Sequence, residues 1–300
     1  MGFKEIKYKN KNLTVHKSIK NPNFDSKTVL VTDTWEFVDL WLNRHKKTDA
    51  RFFWNQAKNF YYATLALPST SAPLTAYYCF LNASKALLLT KGISFSNFHG
   101  VSGYSKQGHT SLSNEIIKFQ CGGILPALAT YLGEPNIQFD YSLKDILYNL
   151  PNIHRAYNHT YSSQAELFIP VFNPKIVKSN TTSEAWLCAE LSTNYANNYT
   201  YNKLTENFEK ELSIEDKAII RFKRRFSWKS NVKTEKDKSL KRYINTYHPK
   251  IRKHIVYING INRLWYLKRT NVEGYIDRGS ITLTFAAMHR LSELARYSPD

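Results

Sequence analysis

The sequence predicts a mainly α-helical protein, built as a helical bundle with a small β-hairpin and a basic insertion before the C-terminal helix. Three apolar stretches with helical periodicity, near residues 34–43, 49–67 and 73–91, predict the bundle. An Asn259-Gly260 pair between the segments HIVYI and RLWYLK predicts the hairpin. A late segment rich in lysine and arginine predicts the insertion.

Capping and breaking residues set the helix boundaries. The second helix should stop at Pro68, because proline cannot continue a helix. The third should begin with Pro73 in its first turn, where proline costs least, and should end at a Gly92 cap. Ser142 is expected to cap a helix over 142–157.

The other segments complete a four-part organisation. We expect a strand at 28–32, a loop at 92–109, extended chain at 164–178, and helices at 123–132, 183–192, 203–217 and 280–297. The predicted parts are an N-terminal irregular or β segment (1–33), a helical core (34–200), the basic insertion (201–254), and a hairpin with the C-terminal helix packing back on the core (255–300).

Composition excludes several classes of protein. With 300 residues and 42% hydrophobic content, the chain is neither disordered nor a membrane protein. The N-terminal MGFKEIKYKNKN lacks an apolar stretch, so we expect no secretory signal. Cys79, Cys121 and Cys188 form no CxxC pair, which excludes structural zinc or a disulfide scaffold and predicts reduced thiols in the cytoplasm. No metal or other cofactor is expected.

Positive charge is concentrated in one segment. The net charge is +18, and residues 217–253 contribute +12 of it, with only Glu235 and Asp237 as acids. Phe222, Phe226, Trp228, Tyr243 and Tyr247 are interleaved with these cations. Lysine and arginine bind phosphates, and aromatic rings can stack on unpaired bases.

This pattern predicts binding of nucleic acid, either RNA or DNA. The expected stacking rings are Trp228 or Phe226, and the expected phosphate contacts are Arg221, Lys223, Arg224, Arg225, Lys229, Lys241 and Arg242. No RNP, KH, zinc-finger or GKS/GKT motif accompanies them. A solvated surface and docking on an acidic protein remain alternatives, and a membrane partner is not expected.

Several motifs resemble the YaaC-like family of bacterial proteins. They are AYYCFLNASKALLL at 76–89, HGVS at 99–102, LPNIH at 150–154 and LSELARYSP at 291–299. They occur in order over roughly residues 35–300. The molecular activity of that family is not established, so the resemblance implies little about function.

A weaker pattern, AYY followed by an apolar run with Lys-Ala-Leu-Leu, then Gly and His, is similar to HEPN domains. That resemblance implies a four- to five-helix bundle, commonly dimeric, in bacterial conflict and RNA-processing systems. A role in phage defence, a homodimer, a partner protein of a defence system, and a metal-independent ribonuclease activity are therefore implied by the resemblance alone.

Candidates for ribonuclease chemistry need an arginine to hold phosphate and a histidine to take the 2′-OH proton. The spacing Arg, four to six residues, then His occurs at Arg242–His248, where a chance match explains it better. Arg155 with His154 or His159 lies nearer the expected place, but its spacing is one residue too short. These three residues also suit a helix C-terminus, where cations favour the helix dipole.

Two further histidine patterns stand out. His289, Glu293 and Arg296 fall at i, i+4 and i+7 of the last helix, which places them on one face. That face is typical of an exposed or interfacial salt-bridge surface, with an active-site wall as the alternative. His99, in the Gly/Ser-rich loop, is expected to stabilise a turn rather than to bind a ligand.

Overall fold

The computed structural model describes residues 2–15, 31, 33–202, 204, 206–211, 218–229, 232–258 and 264–297. The helices in these residues are α1 (Thr34–Arg44), α2 (Thr48–Leu65), α3 (Ala72–Thr90), α4 (Ile124–Tyr131), α5 (Leu143–Tyr148), α6 (His154–Thr160), α7 (Asn198–Asn202), α8 (Lys233–Arg242), α9 (His248–His254) and α10 (Ser280–Tyr297). The strands are β1 (Phe3–Glu5), β2 (Lys7–Tyr8), β3 (Lys11–Asn12), β4 (Val101–Ser105), β5 (Glu115–Phe119), β6 (Phe139–Ser142), β7 (Phe168–Ser179), β8 (Glu184–Leu191), β9 (Phe208–Lys210), β10 (Ile219–Phe222), β11 (Phe226–Ser227), β12 (Ile255–Ile258) and β13 (Leu264–Lys268). The Asn259-Gly260 turn, all but one residue of the strand predicted at 28–32, and residues 203, 205 and 212–217 of the helix predicted at 203–217 lie outside the described residues.

The chain forms two compact units. Unit 1 comprises Met1–Asn21 and Pro151–Asp277, and unit 2 comprises Pro22–Leu150 and Arg278–Asp300. Each unit is therefore assembled from two stretches of chain that are distant in sequence.

Unit 2 contains most of the long helices. Helix α3 packs against both α2 and α10, and α1 packs against α2. A three-stranded antiparallel sheet in the order β4-β5-β6 lies beside α10, with α4 and α5 completing the core. Buried apolar residues line these contacts, among them Leu88, Ile117, Ile124, Leu128, Ile146, Leu283 and Phe285.

Unit 1 is built on a curled antiparallel sheet of eight strands. Its central path runs β12-β13-β7-β8-β10-β9, while β1 pairs with β7 and β11 pairs with β8. Strands β12 and β13 pair antiparallel from Ile255↔Leu267 to Ile258↔Leu264, which confirms the strand pair that the hairpin signal predicted.

The prediction of a mainly α-helical bundle is wrong, because the protein is a mixed α/β fold. The clearest local error is residues 183–192, predicted as a helix and found as strand β8. Residues 185–189 of β8 are all buried, so both faces of the strand are apolar and no alternation appears in the sequence. A fully buried strand and a short buried helix cannot be distinguished by periodicity alone.

Local capping residues predicted helix boundaries better than periodicity predicted the fold class. The Ser142 side chain accepts a hydrogen bond from the Asp145 backbone and caps α5, as predicted. Pro73 lies in the first turn of α3, and Gly92 follows its end with a φ of +68°. The helix expected over 142–157 is interrupted, because Pro151 begins a separate 3-10 turn before α6.

The basic segment is not an insertion beside a helical core. Its strands β10 and β11 belong to the eight-stranded sheet, and its aromatic residues pack into the core of unit 1. Tyr247 lies 4.5 Å from Phe226 between ring centroids, and its hydroxyl accepts a hydrogen bond from the Leu187 backbone. Segment 217–253 therefore contributes to the core as well as to the surface charge.

In the part of the chain that the structure describes, the helices are too short or too polar to cross a lipid bilayer.

A comparison of two glycines tests whether the loop before β4 depends on its close approach to Pro126 of α4. Gly100 and Gly92 have similar left-handed φ values, +78° and +68°. A Cβ at Gly100 would lie 2.2 Å from Cδ of Pro126, whereas nothing lies within 4 Å of one at Gly92. We expect Gly92→Ala to cost about 1 kcal/mol, the price of a left-handed alanine, and Gly100→Ala to cost about 1–3 kcal/mol more because of overpacking. Urea unfolding measures both, and equal losses would show that Pro126 moves aside freely.

Candidate functional site

The rings predicted to stack on bases are part of the core. Trp228 is 2% exposed and Phe226 is 7% exposed. Phe226 packs edge-on against Trp228 and tilted against Tyr243. Neither ring presents a face to a base in this structure.

Two of the predicted cations are neutralised within unit 1. Arg221 donates to Glu209 at 2.7 Å and to Glu211 at 3.2 Å. The Arg225 guanidinium pairs with Glu209 at 3.5 Å, donates to the Phe222 carbonyl and lies 4.6 Å from the ring of Trp186. These arginines hold β10 and its neighbours together.

The remaining predicted cations are exposed: Lys223, Arg224, Lys229, Lys241 and Arg242. The Lys229 backbone is tied to α8, because its N–H donates to Ser239 Oγ at 3.1 Å. Lys241 lies on α8 one turn after Asp237, at i+4. The structure thus brings part of the predicted set to the surface of α8.

The N-terminal hairpin β2–β3 joins this helix, which the charge pattern did not predict. The Tyr8 hydroxyl donates to Asp237 at 2.8 Å. Lys9 Nζ lies 5.6 Å and Lys236 Nζ 5.8 Å from the centroid of the Tyr8 ring. Lys11 pairs directly with Tyr8 across the hairpin and shares its face.

We define the basic surface as Lys9, Lys11, Lys233, Lys236 and Lys241. Lys233, Asp237 and Lys241 follow one another at i, i+4 and i+8, so both lysines lie on the side of α8 that holds the Tyr8 contact. Behind the hairpin, the Tyr243 hydroxyl donates to the Thr14 carbonyl at 2.7 Å, and the His248 ring contacts the Val15 carbonyl. The aromatic residues of the basic segment therefore anchor the N-terminal chain.

Of the three predicted ribonuclease residues, the structure buries His154 and leaves Arg155 and His159 together on the surface of α6. His154 is 4% exposed, and its Nδ1 lies 2.8 Å from the Pro151 carbonyl. Its ring packs against Tyr266, and burial lowers its pKa. Arg155 and His159 lie on the exposed side of α6, so the helix separates them from His154.

Unit 2 contains a second group of polar residues, which we call the histidine cluster: Tyr77, His99, His289 and Glu293. The Tyr77 hydroxyl and His99 Nδ1 are 2.8 Å apart. The ring centroid of His289 lies 5.5 Å from that of His99 and 5.1 Å from that of Tyr77. Helix α3, the loop before β4 and helix α10 each supply part of this cluster.

The main chain around His99 is held by hydrogen bonds. The backbone N–H of Leu125 donates to the His99 carbonyl at 3.0 Å, and that of Gln120 donates to the Gly100 carbonyl at 3.1 Å. The first turn of α4 therefore fixes the loop. The side chain of His99 does not bond to this turn; it contacts Tyr77 on α3 and the histidine of α10.

An ion-pair network positions the cluster from α10. Arg290 Nη1 donates to Glu293 Oε2 at 2.8 Å, and Arg290 Nε donates to the buried Glu115 at 3.0 Å. Glu293 Oε1 lies 3.8 Å from His289 Nδ1. A Cβ at Gly103 would lie 2.5 Å from Arg290 Cδ, so only glycine lets β4 approach this closely.

Both histidines of the cluster favour the neutral form. Burial, together with the nearby groups His99, Arg290 and Arg296, lowers the pKa of His289 to about 4. Burial also lowers the pKa of His99, with Lys85 acting in the same direction. A neutral imidazole carries one hydrogen-bond donor and one acceptor.

The three residues predicted to share one face of α10 differ in their exposure to solvent. His289 is 7% exposed, the Glu293 side chain is 26% exposed, and Arg296 is on the surface. The i, i+4, i+7 spacing correctly indicated one shared face. That His99 and Tyr77 meet this face had no sequence signal, because their pairing depends on how α3 and α10 pack.

The neutral state of His289 predicts a pH dependence of stability. An unfolded histidine binds a proton near pH 6.5, whereas folded His289 does so only near pH 4. The unfolded state therefore binds more protons in this window, and stability falls as pH is lowered through it. The loss should be on the order of 3 kcal/mol smaller in His289→Gln. Urea unfolding at pH 7 and pH 4 measures it, and identical pH dependence in both proteins would contradict the burial argument.

Comparison with known proteins adds one finding. No curated protein and no solved structure matches the chain. The HEPN-like resemblance is not confirmed. One family, described as YaaC-like Protein, matches residues 17–300, which is most of the chain. The protein therefore belongs to the YaaC-like family.

Proposed function

We propose that this protein binds nucleic acid through the basic surface of unit 1. The observation that carries the proposal is the Tyr8–Asp237 hydrogen bond, which places lysines from the N-terminal hairpin beside those of α8. Segments more than two hundred residues apart in sequence thereby contribute positive charge to one surface.

The arrangement of charge supports an anionic partner. Lys9 and Lys236 both lie within 6 Å of the Tyr8 ring centre. Both ammonium groups are therefore held near one tyrosine, and an anion bound at this surface would be attracted by both. On α8 the acidic residues are already engaged, since Asp237 accepts from Tyr8 and Glu235 pairs with Lys238 at 3.2 Å.

The burial of the aromatic rings determines which part of a nucleic acid the surface can contact. Trp228 and Phe226 belong to the core, so the surface offers lysines without the stacking platform expected from the sequence. Lysine side chains contact phosphates, which carry no sequence information by themselves. We therefore expect salt-dependent binding to the backbone of RNA or DNA with little base preference.

Neutralising the basic surface should weaken binding in a salt-dependent way. The α8 variant is Lys233→Gln, Lys236→Gln and Lys241→Gln. Each lost phosphate contact reduces the slope of log K against log salt by about 0.7 for a single strand. We expect the triple variant to lower the slope by about 2. Titration of a labelled single strand over a salt series measures it.

Two comparison variants distinguish binding by the basic surface from an effect of net charge alone. Lys9→Gln with Lys11→Gln should also lower the slope, because the hairpin is part of the same surface. Arg44→Gln, Lys91→Gln and Lys106→Gln remove exposed charges from unit 2 and should leave the slope unchanged. Equal effects of all three variants would mean that only net charge matters. No binding at low salt would leave an acidic protein as the alternative partner.

A further inference from the structure

We propose that unit 2 binds a free nucleoside monophosphate in a cleft on its three-stranded sheet. The cleft has a volume of about 440 Å³, and sites for small molecules have volumes of roughly 300–1,000 Å³. Lysine, aspartate and serine side chains line it, together with one tyrosine ring. The inference goes beyond the proposed function, because the lining residues belong to unit 2 and the basic surface belongs to unit 1.

The strand register divides the sheet β4-β5-β6 into a covered face and an open face. On the covered face, Gly103 lies against Arg290 of α10. Successive side chains point to opposite faces of a strand, so Tyr104 points away from α10. Tyr104, Ile116 and Ser142 stand in one row across the three strands, and all three line the cleft. The cleft therefore lies on the open face.

Tyr104 and Ile116 give the cleft an apolar middle. Tyr104 is 47% exposed, and Ile116, directly opposite it on β5, is 5% exposed. An exposed ring beside a buried apolar floor suits the stacking of a flat heterocycle, because every nucleobase has a face that can cover such a ring. We therefore expect the base of the ligand to lie on Tyr104.

Two lysines lie at one end of the cleft, and an aspartate lies at the other. Strands β4 and β6 both pair antiparallel with β5, so they run in the same direction. Lys106 lies two residues beyond Tyr104 in that direction. Lys144 lies two residues beyond Ser142, in the first turn of α5. Asp140 lies two residues before Ser142, so about 13 Å of strand separates it from the level of Lys106, at ~3.3 Å per residue.

The two acidic residues of the cleft differ in their partners. The Asp145 carboxylate accepts a hydrogen bond from the Ser142 hydroxyl at 2.6 Å, so it belongs to the cap of α5. Asp140 is exposed and has Lys118 as its cross-strand neighbour, yet within the described residues its carboxylate makes no hydrogen bond or ion pair. An ionised carboxylate only accepts hydrogen bonds, so Asp140 selects a ligand that carries donors.

A guanine nucleotide matches this order of groups from one end of the cleft to the other. The phosphate binds Lys106 and Lys144 at the positive end, and the base stacks on Tyr104. The guanine edge carries two adjacent N–H donors, which match the two oxygens of the Asp140 carboxylate. Adenine offers one such donor beside an acceptor nitrogen, so Asp140 favours guanine over adenine.

The positive end of the cleft distinguishes a free nucleotide from a nucleic acid. A terminal phosphate carries a charge of about −1.5 to −2 at pH 7. Each internal phosphate of a nucleic acid carries a single negative charge. Two lysines at one end therefore favour the free nucleotide, and the polymer is left to the basic surface of unit 1.

The test is isothermal titration calorimetry of the protein with GMP, AMP and guanosine at low salt. GMP should bind at least about fivefold more tightly than AMP, which is the discrimination that one bidentate pair supplies. GMP should bind at least about tenfold more tightly than guanosine, because it alone of the two bonds to the lysines. Binding of GMP no tighter than that of AMP or of guanosine would overturn the proposal.

Variants assign each contact to a residue. Asp140→Asn should remove the preference for GMP over AMP, and a preference left intact would contradict the base contact. Lys106→Gln with Lys144→Gln should weaken GMP binding about tenfold and leave guanosine binding unchanged, which also shows that this variant folds. The matched control, Arg44→Gln with Lys91→Gln, removes two exposed charges of unit 2 outside the cleft and should bind GMP as wild type does.

Two further comparisons test the stacking contact and the independence of the cleft from the basic surface. Tyr104→Phe should keep the affinity for GMP, whereas Tyr104→Ala should lower the affinity for all three ligands because the stacking ring is lost. Equal loss of GMP binding in the lysine variant and in its control would show an effect of net charge and overturn the cleft. The α8 variant should bind GMP as wild type does, so its loss of RNA binding concerns the proposed function alone.

Discussion

The buried ion pair between Arg290 and Glu115 decides how α10 lies in unit 2. The side chains of Arg290 and Glu115 are 8% and 9% exposed, so each charge has lost most of its hydration and depends on the other. The same guanidinium holds Glu293, and the strand opposite needs Gly103 to approach it. Together with the packing of α10 against α3, this contact sets the positions of His289 and Glu293 relative to His99.

In unit 1 the comparable constraint is the packing of buried aromatic side chains. Tyr243 and Tyr247 come from a basic segment, yet both are nearly fully buried and pack with Phe226. Burying these rings orients the neighbouring lysines outward, because the two kinds of residue alternate along helical turns. Tyr243 also reaches the Thr14 carbonyl, so the packing that forms the core fixes the N-terminal hairpin as well.

The two units differ in their polar residues. Unit 1 presents lysines whose own counter-charges are few, which suits the capture of a polyanion. Unit 2 holds two histidines that burial favours in the neutral form, packed against Tyr77 between α3 and α10.

The sequence by itself determined the local features: the Ser142 cap, the end of α3 at Gly92, the pairing of β12 with β13 and the location of the positive charge. These depend on a few neighbouring residues. It did not reveal that β8 is a strand or that Trp228 is buried, because a buried strand lacks alternation and burial depends on distant partners. Tertiary structure alone brought Tyr8 to Asp237 and His99 to His289, since contacts between remote segments arise from packing rather than from spacing.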